Sequence, residues 1–479
     1  MKTSQFIIYT ILAAQSMILL GCNKELSEPP ANARVEGNTI TDQKTAQTVL
    51  NGAYYQFALV SSDNVTNWKG HQIAGGLLSG ALAYGYGEVP DERNENVNSF
   101  VVPQFWNETY LLINAANGVI DGIAPISGSS FTGNRKNEII AESRFLRAYG
   151  HFRLLTFFSE WSNLSSPNGV LIREKFILLS QAHKARSSVA ESYTHILQDL
   201  DFAILNAPST NQNYYATKWA AMALKMRVLL CRGQQADLAS VAEIGNSLIT
   251  SAPFALEDNL QNLFRTKGLE SKEVILGIKA QPSQDLFYYN TSGSYYPGFS
   301  DLYVATSAYR NMFADSDPRK SWMIGPENPN AFVPFSQYYF TKYIGYGENS
   351  SQISETAYAL RLSEVYLMRA EAIIKSNGNL STARTLIKTV MGKAGVSDFS
   401  TIDNATTADQ LLLQNYYEVS RNLSGEDAIE WLTLLRLPIE RVKQLRPAIT
   451  GSAQFYFPIP IAEFSSNPLF GSQNTGYSK

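Results

Sequence analysis

The chain has 479 residues, 44% of them hydrophobic and 17% charged, enough apolar material to bury a large core and too much for a disordered polymer. Its formal net charge of −3 supplies no basic field, which argues against nucleic acid as a partner. Two cysteines (Cys22, Cys231) and four histidines (His71, His151, His183, His195) leave little room for thiol or metal chemistry.

Residues 1–21 read as a secretory signal. Lys2 precedes a mostly apolar run from Phe6 to Leu20 that is too short, and too interrupted by Gln15 and Ser16, to span a bilayer. Leu19-Leu20-Gly21-Cys22 resembles a bacterial lipobox, which makes Cys22 the expected lipid attachment site and the membrane anchor an acyl group. Simple cleavage and release is the alternative. Residues 22–40, with Pro29 and Pro30, suit a tether.

Residues 41–250 read as helical hairpins. A first helix runs from Thr41 to Val60 with Thr41-Asp42 as its cap. From Ser61 to Gln104 no helical period appears; this aromatic loop holds Trp68, Tyr84 and Tyr86 among glycines, then an acidic stretch, EVPDERNEN, without calcium-loop spacing. Helices are expected at Phe105–Ile123 and Asn137–Ser159, the latter with one apolar stripe of Phe145, Ala148, Phe152 and Leu155, and at Val189–Leu205. Thr217–Cys231 and Asp237–Thr250 form a clear hairpin across Arg232-Gly233-Gln234-Gln235.

Residues 251–355 differ in character: irregular, rich in Pro, Gly, Ser and Tyr, with seventeen aromatics in the sixty residues from Phe287 to Tyr346, against 12% over the chain. Rings this dense in loop-like sequence offer flat faces for sugars or peptide side chains, although packing against the helices accounts for most single tyrosines. Residues 356–395 contain another hairpin, Tyr358–Ala394, turned at Ser-Asn-Gly-Asn with Gly378 as the break. Arg361, Glu364, Met368, Glu371 and Lys375 fall on one stripe of its first helix, and apolar residues cover the rest. About four hairpins result, enough for a tetratricopeptide-like (TPR-like) solenoid in a mainly α fold. In 396–479, Leu411–Leu437 reads as a helix with Glu418, Arg421, Glu426 and Glu430 as surface charges. Phe455–Phe470 reads as an extended strip, since no helix crosses Pro458 and Pro460.

The stretches AESRFLRAYGHFRLLTFF (141–158), RLSEVYLMRAEA (361–372) and FPIPIAEFSSNPLF (457–470), in this order after the lipobox, resemble the SusD/RagB family of outer-membrane lipoproteins of the Bacteroidota. The resemblance implies a TPR-bearing scaffold with an irregular second half. It also implies binding of oligosaccharides, or of peptides in some branches, and a SusC-like TonB-dependent transporter as partner. By region, it points to Trp68, Tyr84 and Tyr86 on one side and Tyr289, Tyr295, Tyr296 and Trp322 on the other as ligand-binding aromatics. LRLPIERV (435–442) departs from the family's usual aromatic and basic run.

No H-E-x-x-H, paired C-x-x-C, Walker loop, dinucleotide fingerprint or G-x-S-x-G elbow occurs, so no cofactor, metal or catalytic residue is expected, and Cys231 in RVLLCRG suits a buried hydrophobe. Three readings stay open: a surface glycan-binding protein, a lipid-anchored glycoside hydrolase whose paired carboxylates meet only in space, and a structural TPR adaptor.

Overall fold

The computed structural model describes residues 39–58, 68–84, 101–279, 303–327, 337–349 and 351–478. The signal, Cys22 and the tether up to residue 38 lie outside these. α1 (Gln43–Phe57) begins at Asp42, whose carboxylate accepts the Thr45 N–H at 2.8 Å while the Thr45 hydroxyl accepts the Asp42 N–H at 3.0 Å. α3 (Val101–Ile123) pairs with it after a shorter α2 (Lys69–Ser79). α4 (Arg135–Phe158) pairs with α5 (Val189–Asn206), and α6 (Lys218–Arg232) with α7 (Gln235–Ser251). α8 (Leu362–Lys375) pairs with α9 (Leu380–Lys393). Each hairpin also packs on the next, α3 on α4, α5 on α6 and α7 on α8, so four hairpins stack as a TPR-like solenoid around one continuous apolar core.

The α8–α9 turn is set by Asn377, not by Gly378: Asn377 takes the left-handed conformation (φ 56°), and the Gly378 N–H reaches back to the Ile373 carbonyl at 2.8 Å. α4 has no solvent face over most of its length. Its polar residues survive inside by pairing, as when Arg147 forks onto Asp199 with two 2.7 Å bonds. The Cys231 thiol is buried, and burial pushes its pKa up.

A small four-stranded antiparallel sheet stands beside the solenoid in the order β1 (Leu82–Tyr84), β3 (Tyr303–Thr306), β5 (Gln337–Phe340), β4 (Ile324–Glu327). It has its own apolar cluster, including Phe264, Tyr309, Met323, Phe340 and Tyr343. A two-stranded ribbon, β2 (Val274–Ile278) with β6 (Ala357–Arg361), leads directly into α8, with Arg361 at the junction.

Four sequence expectations are corrected here. α2 is a helix inside a stretch that shows no period, because Gly75 and Gly76 interrupt the apolar pattern; a Cβ on Gly75 would lie 2.5 Å from the Ala428 Cα, so this helix needs glycine to approach its neighbour. The helix expected over Leu411–Leu437 is two, α10 (Ala408–Leu423) and α11 (Ile429–Leu435), broken where Gly425, Asp427 and Ala428 all have positive φ. Glu418, Arg421, Glu426 and Glu430, expected on the surface, are buried: Glu418 pairs with Arg319 and with Arg421 of its own helix, Glu426 pairs with Lys342 and Arg361, and Glu430 accepts the Gly425 N–H. The tail is extended only to Pro460; Ile461–Ser466 is helical, Pro460 being an acceptable residue before a first turn.

Candidate functional site

The register of the small sheet decides which parts of the chain meet. β1 pairs with β3 so that Tyr84 faces Tyr303, β3 pairs with β5 through Ala305–Tyr338, and β5 pairs with β4 through Phe340–Ile324. With alternate strands antiparallel, Tyr84, Tyr303, Phe340 and Ile324 all sit at one end of the sheet. The end of β1, the start of β3, the Lys320–Met323 turn before Ile324 and the loop after Phe340 therefore all lie at that end.

Trp322 is half-buried there, tilted against Phe264 at 6.0 Å between centroids, with the Arg265 guanidinium 5.8 Å from its own ring centre. Its carbonyl accepts the Thr341 hydroxyl at 2.9 Å, and the Met323 carbonyl accepts the Thr341 N–H at 2.9 Å, which binds this turn to the loop after β5. In that loop Tyr346 is 58% exposed and rests on Tyr339 at 5.0 Å. Gly347 turns the backbone with φ 79°, while Glu348 accepts the Gly345 N–H at 3.0 Å and stands 3.7 Å from Arg265. Arg265 also donates to the Lys342 carbonyl at 2.7 Å and to the Thr341 carbonyl. The arrangement combines an indole, an exposed phenol, a guanidinium and a carboxylate, which is the chemistry of stacking on a ring and hydrogen-bonding its edge.

A buried polar hub fixes this end of the sheet to the solenoid. Lys342 is wholly buried; its ammonium donates to the carbonyls of Asn422 (3.0 Å) and Ser424 (2.8 Å) and pairs with Glu426 at 2.5 Å. Burial pulls its pKa down to about 8, with Glu426 opposing the shift. The Tyr343 hydroxyl donates to the Gly425 carbonyl at 2.6 Å. On the other side, Arg361 forks onto Glu426 (2.6 and 2.8 Å) and pairs with Glu273; Arg227 bridges Glu364 and Asp427, and Tyr149 donates to Asp427 at 2.6 Å. Two adjacent non-glycine residues in the left-handed region, Asp427 and Ala428, persist because these partners over-determine the loop.

The sequence-predicted residues separate as follows. Trp68 is 1% exposed, its indole N–H donating to the Phe57 carbonyl at 2.9 Å and its ring against Phe57 and Tyr149; it is a core residue and offers no face to a ligand. Tyr84 ends β1 at the convergent end, and Trp322 lies at the same end. Tyr86, Tyr289, Tyr295 and Tyr296 lie outside the described residues. Tyr346, Arg265 and Glu348 were not singled out, although a signal existed: Gly345-Tyr346-Gly347-Glu348 repeats the tetrapeptide Gly85-Tyr86-Gly87-Glu88. Among the described residues no helix is long and apolar enough to cross a membrane.

A family model described as starch-binding associating with outer membrane matches residues 78–230, and the SusD family model matches residues 319–436. A SusD-like protein from Bacteroides ovatus is 22% identical over 69% of this chain; the match spans 65% of that relative's length. Among solved structures, a SusD superfamily protein from Bacteroides thetaiotaomicron matches with TM-score 0.74 at 20% identity, covering 91% of this chain and 100% of that one. A SusD-like carbohydrate binding protein from Bacteroides vulgatus gives 0.73 at 16% identity, covering 92% and 100%. Surface glycan-binding protein A from Bacteroides fluxus gives 0.69 at 19% identity, covering 91% and 100%. At these identities the structures establish a shared fold. With two family models matching separate parts of the chain and a curated relative that agrees with both, the chain belongs to the SusD/RagB family.

Proposed function

We propose that this protein is a non-catalytic, outer-membrane glycan-binding lipoprotein, anchored through Cys22, that captures an oligosaccharide and delivers it to a SusC-like TonB-dependent transporter. The observation that carries the reading is the convergence at one end of the sheet. Tyr84, Trp322 and Tyr346 belong to chain segments far apart in sequence, and the register brings their attachment points together over a rigid, charge-clamped base. A binder that breaks no bond needs such a platform and no nucleophile. Tyr86, Tyr289, Tyr295 and Tyr296 complete the proposed aromatic set.

Affinity electrophoresis against a polysaccharide panel tests it. The protein is expected to be retarded by at least one glycan, to release no new reducing ends, and to lose retardation when Trp322 becomes Ala. Retardation that survives Trp322→Ala and Tyr346→Ala together would place the ligand elsewhere; sugar release by the pure protein would make it an enzyme. For the anchor and the partner, Cys22→Ala should abolish acyl labelling, and the native protein should co-purify with a TonB-dependent barrel.

A further inference from the structure

A second aromatic cleft lies on the helical side, between α1, the α5–α6 connection and the end of β2. It encloses about 220 Å³. Its floor is Tyr54, locked in place because its hydroxyl donates to Glu142 at 2.8 Å and accepts the Ala216 N–H at 2.7 Å. Tyr215 stands edge-on to Tyr54 at 4.8 Å, and Tyr214 leans on Tyr215 at 4.8 Å, so three rings form one continuous wall. Both outer tyrosines are partly exposed. The wall is tied to β2, since the Gly277 N–H donates to the Asn213 carbonyl at 2.8 Å.

The rim is polar. Asn51 is exposed and accepts the Tyr215 hydroxyl at 3.4 Å. The Lys279 ammonium lies 4.4 Å from the Tyr214 ring centre and 3.3 Å from its hydroxyl, and among the described residues it has no ion pair. Glu142, the carboxylate beneath Tyr54, is already paired with Arg135 at 2.8 Å and is fully buried. The cleft thus presents ring faces, an amide, phenol hydroxyls and, at its mouth, a cation with no ion pair among the described residues.

We propose that this cleft is a ligand subsite for a single sugar ring carrying a carboxylate, a hexuronate unit of an acidic glycan. A cleft of about 220 Å³ has room for one sugar ring. Tyrosine faces stack on the apolar face of a pyranose, Asn51 and the phenols serve its hydroxyls, and Lys279 pairs with its carboxylate. A neutral sugar uses everything except Lys279, and a bare carboxylate uses nothing else. The site is separate from the Trp322 surface and does not depend on delivery to a transporter.

Titration calorimetry of the whole protein with glucuronate, glucose and acetate tests this. Glucuronate should bind up to about fivefold more tightly than glucose, the range of an exposed ion pair, and added salt should erode the difference. Lys279→Met should remove the preference for glucuronate and keep the weak glucose binding, Tyr214→Ala should weaken both sugars, and acetate should not compete. Equal affinity for glucuronate and glucose, competition by acetate, or wild-type behaviour of both variants would overturn the proposal. Trp322→Ala should leave glucuronate binding unchanged, so failure here is distinguishable from failure of the Trp322 surface.

Discussion

Arg361 and Lys342 clamp the same carboxylate, Glu426, yet their removal should not cost the same. In Arg361→Met, Glu426 keeps only Lys342, whereas Glu273 loses its ion-pair partner and retains the Glu257 N–H at 3.0 Å. The bonds to Asn422 and Ser363 are lost as well. A buried carboxylate stripped of its cation costs about 3–5 kcal/mol. In Lys342→Met, Glu426 keeps the complete Arg361 fork and the Asn422 carbonyl keeps an Arg361 bond, so the principal orphan is the Ser424 carbonyl, worth about 1–3 kcal/mol. The two variants should therefore differ by about 2 kcal/mol, roughly thirtyfold in the unfolding constant. Equilibrium urea unfolding followed by tryptophan fluorescence and by far-ultraviolet circular dichroism measures both. If Arg361→Met is no worse than Lys342→Met, or if neither loses 1 kcal/mol, the hub does not hold the fold as described.

Other perturbations separate structure from binding. Trp68→Ala should destabilise by about 3–5 kcal/mol, as emptying an aromatic core position does, and leave glycan affinity of the folded fraction unchanged. Trp322→Ala should do the reverse, lowering affinity about tenfold in affinity electrophoresis with a small change in urea midpoint. Gly75→Ala drives a methyl into the Ala428 backbone and should cost about 1–3 kcal/mol by thermal or urea unfolding. Burial pushes the Glu430 carboxyl up to about 8, against the Gly425 N–H that it accepts at 3.1 Å. The native state therefore holds a proton that the unfolded chain releases near pH 4.5, and this stabilising contribution is complete below pH 4.5 and lost as pH rises through 8. Glu430→Gln should match the wild type at pH 5 and exceed it by about 2 kcal/mol or more at pH 9 in urea titrations.

The solenoid was legible because helical period, the Asp42 cap and the Gly233 turn are local signals, and each hairpin shows an apolar face that asks for a neighbour. What period cannot report is whether a polar stripe faces water. Glu364, Glu371, Glu418 and Glu426 look like surface charges until Arg227, Arg436, Arg319 and Arg361 arrive from elements up to about 140 residues away. The candidate site was half legible for the same reason. The aromatic-rich segments stood out, and Trp322 falls at the convergent end, but Trp68 could not be told from a ligand-facing ring because its burial depends on Phe57 and Tyr149. Nor does anything local to Tyr84 announce that Tyr303 will lie opposite it.

The direct packing of α7 on α8 has a kinetic consequence. The two helices touch, yet about 110 residues separate Ser251 from Leu362, and β2 must find β6 across about 80 residues. Loop-closure entropy makes such joins slow, and a ribosome adding roughly 5–20 residues per second takes some 5–20 s to traverse the gap. During that interval the growing solenoid ends in a raw apolar surface awaiting its cover. Conditions that stall translation between these helices should therefore give a species that is prone to aggregate and to recruit holdase chaperones, whereas release of the full chain, which supplies α8, α10 and the Glu426 loop, should not.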